Sequence, residues 1–348
     1  MVWQLFDQSF NVNMAHICTV IATSHSPFLY QPLEWWRGVR SSRPLHASVP
    51  VDSDQICADK HLRVQTAMEK LRRVFEASKP DVVVIFGDDQ KELFSFSNMP
   101  AFAMFAGHGY GGYRTLAYEG APEGHAHRPL KPKTIEHWVD VQAEAGLSRH
   151  ILSHLMAQDF DPAYMLTLPD SSHGMGHAFM RPMFTLTGNR FHLPVVPIMV
   201  NCFYAPQPKA MRCFHFAQAV KSAIASWPSD CRVAVIGSGG LWHLPGADNA
   251  YMDTEFDATV LSLIQQGKAK ELAQFFDNWQ PSPAHADTDH ARIFSGGTEM
   301  HSGIGSGTGE TRTWIMAAAV ANGCATIVDH IPINASPCGA AFAHWDMT

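Results

Sequence analysis

Short apolar runs recur along the chain and alternate with segments of helical periodicity. The runs are continuous and rich in β-branched residues, which is typical of strands buried on both faces of a parallel sheet. Pro197 lies inside one of them and removes a backbone donor, so we expect a bulge or a sheet edge there. The predicted strands are Ile17–Ala22, Asp81–Gly87, Met99–Phe105, Val195–Asn201, Val233–Ile236 and Ala325–Val328.

The segments between the strands space their apolar residues three and four apart, which predicts amphipathic helices. A strand, a helix and a second strand in succession imply a right-handed crossover and a parallel sheet. We therefore predict an α/β fold: one domain over residues 15–348, with a central, mostly parallel sheet flanked by helices, after a leader of residues 1–14. The predicted helices are Lys60–Ser78, about Thr134 to Ala145, Met211–Trp227, Met252 to Gln266 and Arg312–Val320.

Composition narrows the function classes. A chain of 348 residues with 46% hydrophobic and 16% charged residues is typical of a globular protein with a large core. The net charge of −7 argues against binding to nucleic acid or to an anionic membrane. No apolar run is long enough to span a bilayer, and the first residues do not resemble a secretory signal. Seven cysteines without a CxxC pair fit a reducing compartment, so we expect a cytoplasmic protein.

Polar side chains follow the first two predicted strands. His25 comes directly after Ile17–Ala22 and is fixed by Pro27, and the cluster Asp88–Glu92 follows the next strand. Because the carboxyl ends of parallel strands meet at one edge of a sheet, we expect these side chains to converge.

The stretch Val235–Asp257 has the same organisation. A buried strand ends in the small residues Ser238–Gly240, His243 follows, and Glu255 lies on the next predicted helix. One histidine and one carboxylate on separate elements form part of the two-histidine, one-carboxylate triad of non-haem iron oxygenases. The alternative is an ordinary strand, turn and helix with a surface histidine and a solvated glutamate.

The chain has 20 histidines, several of them beside glycines in predicted turns. His173, His177 and His243 are candidates for proton transfer, since an imidazole titrates near neutral pH. Each could instead be a structural turn histidine.

Two predicted loops are candidate lids over an active site. Residues 28–58 contain Trp35 and Trp36, and a loop of that length is usually functional or mobile. The segment Gly303–Glu310 superficially resembles a phosphate cradle, but it follows no strand and lacks the P-loop lysine. We interpret it as an active-site loop.

The chain resembles the class III extradiol ring-cleavage dioxygenases, the family of the protocatechuate 4,5-dioxygenase β-subunit, gallate dioxygenase and 3-O-methylgallate dioxygenase. The resemblance extends from about Ile17 to about Val320. It rests on five motifs in order: T-S-H-S-P at Thr23–Pro27, F-G-D-D-Q at Phe86–Gln90, G-H-A-F-M-R-P at Gly176–Pro182, G-S-G-G-L-W-H at Gly237–His243 and E-F-D at Glu255–Asp257.

The resemblance implies a single α/β domain, often a homodimer or higher homo-oligomer, with Fe(II) as its cofactor. It implies that His25 and Glu255 bind iron and that His177 and His243 act on the substrate, with His173 as the lesser candidate. The second iron-binding histidine of better-known members falls at Gln90. This leaves three alternatives. Gln90 binds the iron weakly, one of Asp89, Glu92 or a nearby histidine completes the metal site, or iron binding is lost.

The resemblance implies Fe(II)-dependent extradiol cleavage of a catecholic or gallate-like aromatic acid with O2. Two alternatives remain. One is a homologue with the same fold that binds no redox iron, such as a binding protein, since fold does not determine function. The other is a zinc-dependent hydrolase.

Overall fold

An eight-stranded sheet forms the centre of the molecule in a computed structural model of the chain. The structure describes residues 13–33, 36, 45–113, 138–244, 249–280, 282–283 and 307–347. The strands are β1 His16–Thr23, β2 Val82–Asp88, β3 Phe102–Phe105, β4 Gly109–Tyr113, β5 Trp138–Gln142, β6 Ala163–Met165, β7 Val195–Val200, β8 Arg232–Ser238, β9 Thr326–Ile333 and β10 Cys338–Asp346.

Helices cover both faces of this sheet. Their bounds are α1 Asp54–Ser78, α2 Ala145–Met156, α3 His177–Thr187, α4 Ala210–Ala225, α5 Thr254–Gln265, α6 Ala269–Asn278 and α7 Thr311–Ala321. α1 begins before the predicted Lys60 because the Ser53 side chain caps it by accepting from the amide of Ile56. No helix within the described residues is both long enough and apolar enough to span a bilayer.

The strand order is β6-β3-β7-β2-β8-β1-β10-β9. The central strands β7, β2, β8 and β1 run parallel, and β10 and β9 close one side antiparallel. β4 and β5 form a separate two-stranded sheet. The prediction of one α/β fold built on a central, mostly parallel sheet is therefore confirmed.

Neighbouring residues of the central strands face opposite layers, as the two-residue period of a strand requires. Val20, Val84 and Val235 pack into the core formed with α2, α4, α5, α6 and α7. Ile21, Ile85 and Ile236 pack into the second core, which α1 and α3 cover. Burial on both faces explains why these strands are uninterrupted apolar runs.

Two predictions about this framework need correction. The helix from about Thr134 to Ala145 is wrong: residues 138–142 form β5, whose Val139 and Val141 favour a strand, and 134–137 lie outside the described residues. β7 is not an edge strand, and Pro197 is tolerated because its antiparallel partner β3 pairs only from Ile198 onward. The two candidate lids are described only in part. In the first, residues 28–58, Trp36 is buried beside Phe28 with ring centroids 4.7 Å apart, and Trp35 lies outside the described residues. In the second, Gly303–Glu310, residues 303–306 lie outside the described residues.

Candidate metal centre and active site

His25 lies just beyond the end of β1, and its hydrogen bonds assign its tautomer. Its Nδ1 is 2.8 Å from the hydroxyl of Ser238, and that hydroxyl donates its own proton to the carbonyl of Ala178 at 2.6 Å. Ser238 can therefore only accept from the ring, so Nδ1 carries the proton and Nε2 carries the lone pair. Burial lowers the pKa of His25 to about 4, which keeps the ring neutral near neutral pH.

Two buried carboxylates face this lone pair. Glu310 Oε2 lies 3.4 Å from His25 Nε2, and Asp88 Oδ1 lies 3.7 Å from it. Neither Asp88 oxygen nor His25 Nε2 has a hydrogen-bond partner among the described residues. Burial first, and then the charge of Glu310, raise the pKa of Asp88 well above its ordinary value. An acceptor nitrogen between acceptor oxygens fits a bound cation, and nitrogen and oxygen donors suit a divalent first-row metal.

Glu310 reaches the site because its side chain lies directly against the backbone that follows β8. It ends a 3-10 turn, Gly307–Glu310, that leads directly into α7. Its Oε2 accepts from the amide of Gly240 at 2.8 Å, and its Oε1 accepts from the Gln90 amide at 2.9 Å. A Cβ on Gly239, where φ is +127°, would lie 2.6 Å from Glu310 Oε2. The small residues after β8 therefore make room for this carboxylate.

His243 contacts the same carboxylate from the other side. Its Nδ1 donates to the carbonyl of Leu241 at 3.0 Å, and its Nε2 lies 3.5 Å from Glu310 Oε2. Burial alone would lower the pKa of His243, but the charge of Glu310 raises it above the ordinary value. Burial likewise opposes ionisation of Glu310, yet the neighbouring rings of His243 and His25 hold its pKa well below the usual range.

His177 is the first residue of α3 and completes the cluster. Its Nδ1 donates to Glu92 Oε1 at 2.8 Å, so in the neutral ring Nε2 is the nitrogen with the lone pair. Its ring meets that of His25 edge to face, with centroids 4.6 Å apart. A ring nitrogen of His177, one of His25 and a carboxylate oxygen of Asp88 all lie within 4.8 Å of one another.

The structure thus brings together four of the residues that the sequence singles out: His25, Gln90, His177 and His243. His173 is exposed on a turn, where its amide donates to Asp170, and it is not part of this cluster.

Glu255 does not join the cluster either, and the carboxylate beside His25 is Glu310 instead. Glu255 is exposed in the first turn of α5. Two residues along a helix are about 200° apart, so Asp257 faces inward while Glu255 faces outward. Asp257 accepts from the amide of Trp242 at 2.9 Å and contacts His330 Nε2 at 2.9 Å.

Asp89 and Glu92, considered as replacements for the missing histidine, have other partners. Asp89 accepts from the backbone amides of Lys91, Leu93 and Phe94, which folds the turn that follows β2. Burial raises the pKa of Asp89 to about 6. Glu92 binds His177.

Sequence reasoning missed Glu310 and Asp88 as site residues. The signal for Glu310 was the glycine-rich segment before α7, because Gly307 must approach His243 closely. A Cβ on Gly307 would lie 2.0 Å from His243 Nε2. The sequence indicates Asp88 only as part of the polar cluster Asp88–Glu92, because its position beside His25 depends on the order of the strands in the sheet.

Comparison with known proteins assigns the chain to a family. Residues 45–338 match the family described as the catalytic LigB subunit of aromatic ring-opening dioxygenase. The chain belongs to this family. That assignment confirms the resemblance to class III extradiol dioxygenases. A crystal structure of an uncharacterized protein from Escherichia coli K12 aligns with 80% of this chain and 91% of its own, at a TM-score of 0.37 and 10% identity, which adds nothing to the assignment.

Curated relatives carry related names. Gallate dioxygenase of Pseudomonas putida is 34% identical over 147 residues, which cover 41% of this chain and 39% of that protein. A 2,3-dihydroxyphenylpropionate/2,3-dihydroxicinnamic acid 1,2-dioxygenase of Rhodococcus globerulus is 27% identical over 189 residues, 54% of this chain and 51% of that protein. The enzyme of that name from Rhodococcus rhodochrous is 26% identical over 288 residues, 75% and 82% of the two chains. The chain therefore spans only about two fifths of the first of these relatives and about half of the second.

Proposed function

We propose that this LigB-family protein is an Fe(II)-dependent extradiol dioxygenase that opens the ring of a catecholic or gallate-like aromatic acid with O2. The observation that carries the proposal is the buried meeting of the His25 Nε2 lone pair with the carboxylates of Glu310 and Asp88. Such a set of buried acceptors is costly unless a proton or a bound cation lies between them, and a divalent metal would serve all three groups. The names of the curated relatives support the choice of reaction class.

His25 and Glu310 would hold the metal in this proposal. When bound, Fe(II) would supply a redox centre for O2 and a Lewis acid for two adjacent ring hydroxyls. Glu310 is held in place by the amide of Gly240 and by Gln90, so its orientation does not depend on the ion. His25 is oriented by Ser238 in the same way.

The two remaining histidines have distinct proposed roles. His177 accepts a substrate proton at Nε2, because Glu92 fixes the other ring proton at Nδ1. His243 supplies a proton later in the reaction, since Glu310 favours its protonated form. Both side chains are nearly buried, which limits exchange of these protons with bulk water.

The test is a metal assay beside oxygen-uptake measurements on a panel of catechols and gallates. We expect stoichiometric iron and uptake in the wild-type protein, and loss of both in His25→Ala and Glu310→Gln. Glu255→Gln is the matched control, because Glu255 is an exposed glutamate outside the cluster, and it should retain both properties. His177→Ala and His243→Ala should keep the metal and lose about 100-fold or more in turnover.

Other outcomes would reject the proposal. Zinc without oxygen uptake would favour a hydrolase. No stoichiometric metal and no uptake with any substrate of the panel would favour a homologue that only binds a ligand. Loss of iron in Glu255→Gln with retention in Glu310→Gln would restore Glu255 as the ligand.

A further inference from the structure

We propose that Asp88 is a direct ligand of the metal, so that one imidazole and two carboxylates hold the ion: His25, Asp88 and Glu310. Gln90 then acts outside the ligand set, as the amide donor that orients Glu310. This inference rests on the proposed function, because it assigns the metal to the same site.

The isolation of the Asp88 carboxylate is the first argument. The side chain has no exposed surface, and neither oxygen has a hydrogen bond of ordinary geometry among the described residues, although the Gln90 side chain lies near enough to oppose part of the rise in its pKa. A buried carboxylate without hydrogen bonds is very unfavourable, and charged groups in such places are paired or coordinate metals. The nearest basic atom is His25 Nε2 at 3.7 Å, and its lone pair cannot donate to the carboxylate.

The position of Asp88 is set by the sheet, which is the second argument. Asp88 is the last residue of β2 and pairs in register with Val200 of β7. On its other side, β2 pairs with β8 up to Phe86 and Gly237, next to the turn that makes room for Glu310. A side chain on an interior strand cannot swing toward solvent as a loop residue can. Asp88 is therefore preorganised beside His25.

The contacts of Gln90 are the third argument. Its Nε2 donates to Glu310 Oε1 at 2.9 Å, so Gln90 turns its NH2 group toward this carboxylate, whereas only its carbonyl oxygen could bind a cation. Two carboxylates and a neutral imidazole balance the charge of a divalent ion, whereas a neutral glutamine in place of Asp88 would leave one positive charge buried. The chain thus replaces a missing imidazole with a carboxylate two residues earlier.

The experiment titrates anaerobic, metal-free protein with Co2+ and follows heat and visible absorption. Asp88→Asn and Asp88→Ala should weaken Co2+ binding by about 100-fold or more, beyond the usual range for residues that only support a ligand. Both should alter the Co2+ absorption bands, because the donor set changes. Metal-free Asp88→Asn should melt no lower than wild type, since a buried ionisable group is replaced without loss of volume.

Gln90→Ala and Glu255→Gln are the controls. Gln90→Ala should leave the Co2+ bands at their wild-type positions while weakening binding less than Asp88→Ala does, and Glu255→Gln should change neither. Wild-type affinity and bands in both Asp88 variants would overturn the role of Asp88 and leave the dioxygenase proposal intact. Absence of Co2+ and iron binding in the wild-type protein would overturn both.

Discussion

Glu92 and His177 form a double contact at the start of α3. Glu92 Oε1 lies 2.8 Å from His177 Nδ1, and the carboxylate also accepts from the backbone amide of His177, at 3.2 and 3.3 Å from its two oxygens. The residue before His177 is Gly176, and a Cβ there would lie 2.6 Å from Glu92 Oε2. The carboxylate thus occupies the space that a side chain at position 176 would fill.

Removal of Glu92 should disturb the tautomer of His177 without removing the metal. In Glu92→Ala we expect turnover to fall by about 100-fold, because Nε2 is no longer reserved as the proton acceptor. The 15N resonances of the His177 ring should show a mixture of tautomers, which a merely structural role would not produce. Glu92→Gln should restore part of the activity, since its amide oxygen still accepts from Nδ1. Equal activity of Glu92→Ala and wild type would contradict the assignment.

Gly176→Ala should produce the same defect by a steric route. The backbone at Gly176 has φ of −61°, so alanine is conformationally allowed and the only obstacle is Glu92. Gly323→Ala is the matched control, because a Cβ there would meet only the carbonyl of Ala321 at 3.9 Å. Turnover and the ring 15N spectrum should change in Gly176→Ala alone. In a Glu92→Ala background the added methyl should cost little more, since coupled residues are not additive.

The stabilising effect of Glu92 should disappear at low pH. Burial opposes ionisation, but the nearby His177 lowers the pKa of Glu92 to about 2. A depressed carboxyl pKa stabilises the fold above the unfolded-state pKa of about 4.3, and that stabilisation is lost as the pH falls toward 2. The effect is about 3 kcal/mol near neutral pH and about half of that at pH 3.

Chemical denaturation of wild type and Glu92→Gln at several pH values checks this linkage. The difference in the free energy of unfolding should be constant above about pH 5.5 and should shrink below the unfolded-state pKa of about 4.3. A difference that grows as the pH falls would have the wrong sign for the contact.

Asp257 should matter for stability in a way that a surface carboxylate does not. It is fully buried and accepts from the amide of Trp242, the residue before His243. Asp257→Ala removes the carboxylate that accepts from this buried amide and should cost about 1–3 kcal/mol in urea unfolding. Asp346→Ala is the matched control, because Asp346 also pairs with a histidine, His344 at 3.2 Å, but is 78% exposed. It should stay within about 0.5 kcal/mol of wild type.

Much of the framework could be predicted because burial on both faces leaves a direct trace in the sequence. The runs that became β1, β2, β7 and β8 are uninterrupted, and parallel strands place their ends at one edge, which brought His25 and the segment after β2 together. β5 was mistaken for a helix because Trp138–Gln142 is short and its partner is the glycine-rich β4. A five-residue segment has too few positions to distinguish the periodicity of a helix from that of a strand.

The choice of carboxylate could not be predicted, because it depends on contacts between distant segments. Glu255 and Glu310 both precede or begin a helix after the His243 motif, and chain order alone does not distinguish them. The distinction is made by Gly239 and Gly307, whose missing side chains admit Glu310 and bring its turn against His243. A glycine in a sequence indicates that something approaches closely, but it does not say what approaches.

The place of β1 in the sheet also sets the order in which this protein can be assembled. β1 is flanked by β8 and β10, and the backbone amide of Ser24 donates to the carbonyl of Ala341 in β10 at 3.0 Å. During synthesis on the ribosome, His25 emerges early and stays exposed to solvent until the neighbouring strands β8 and β10 have been made. The surroundings of His25 are therefore complete only after β10 has docked on β1.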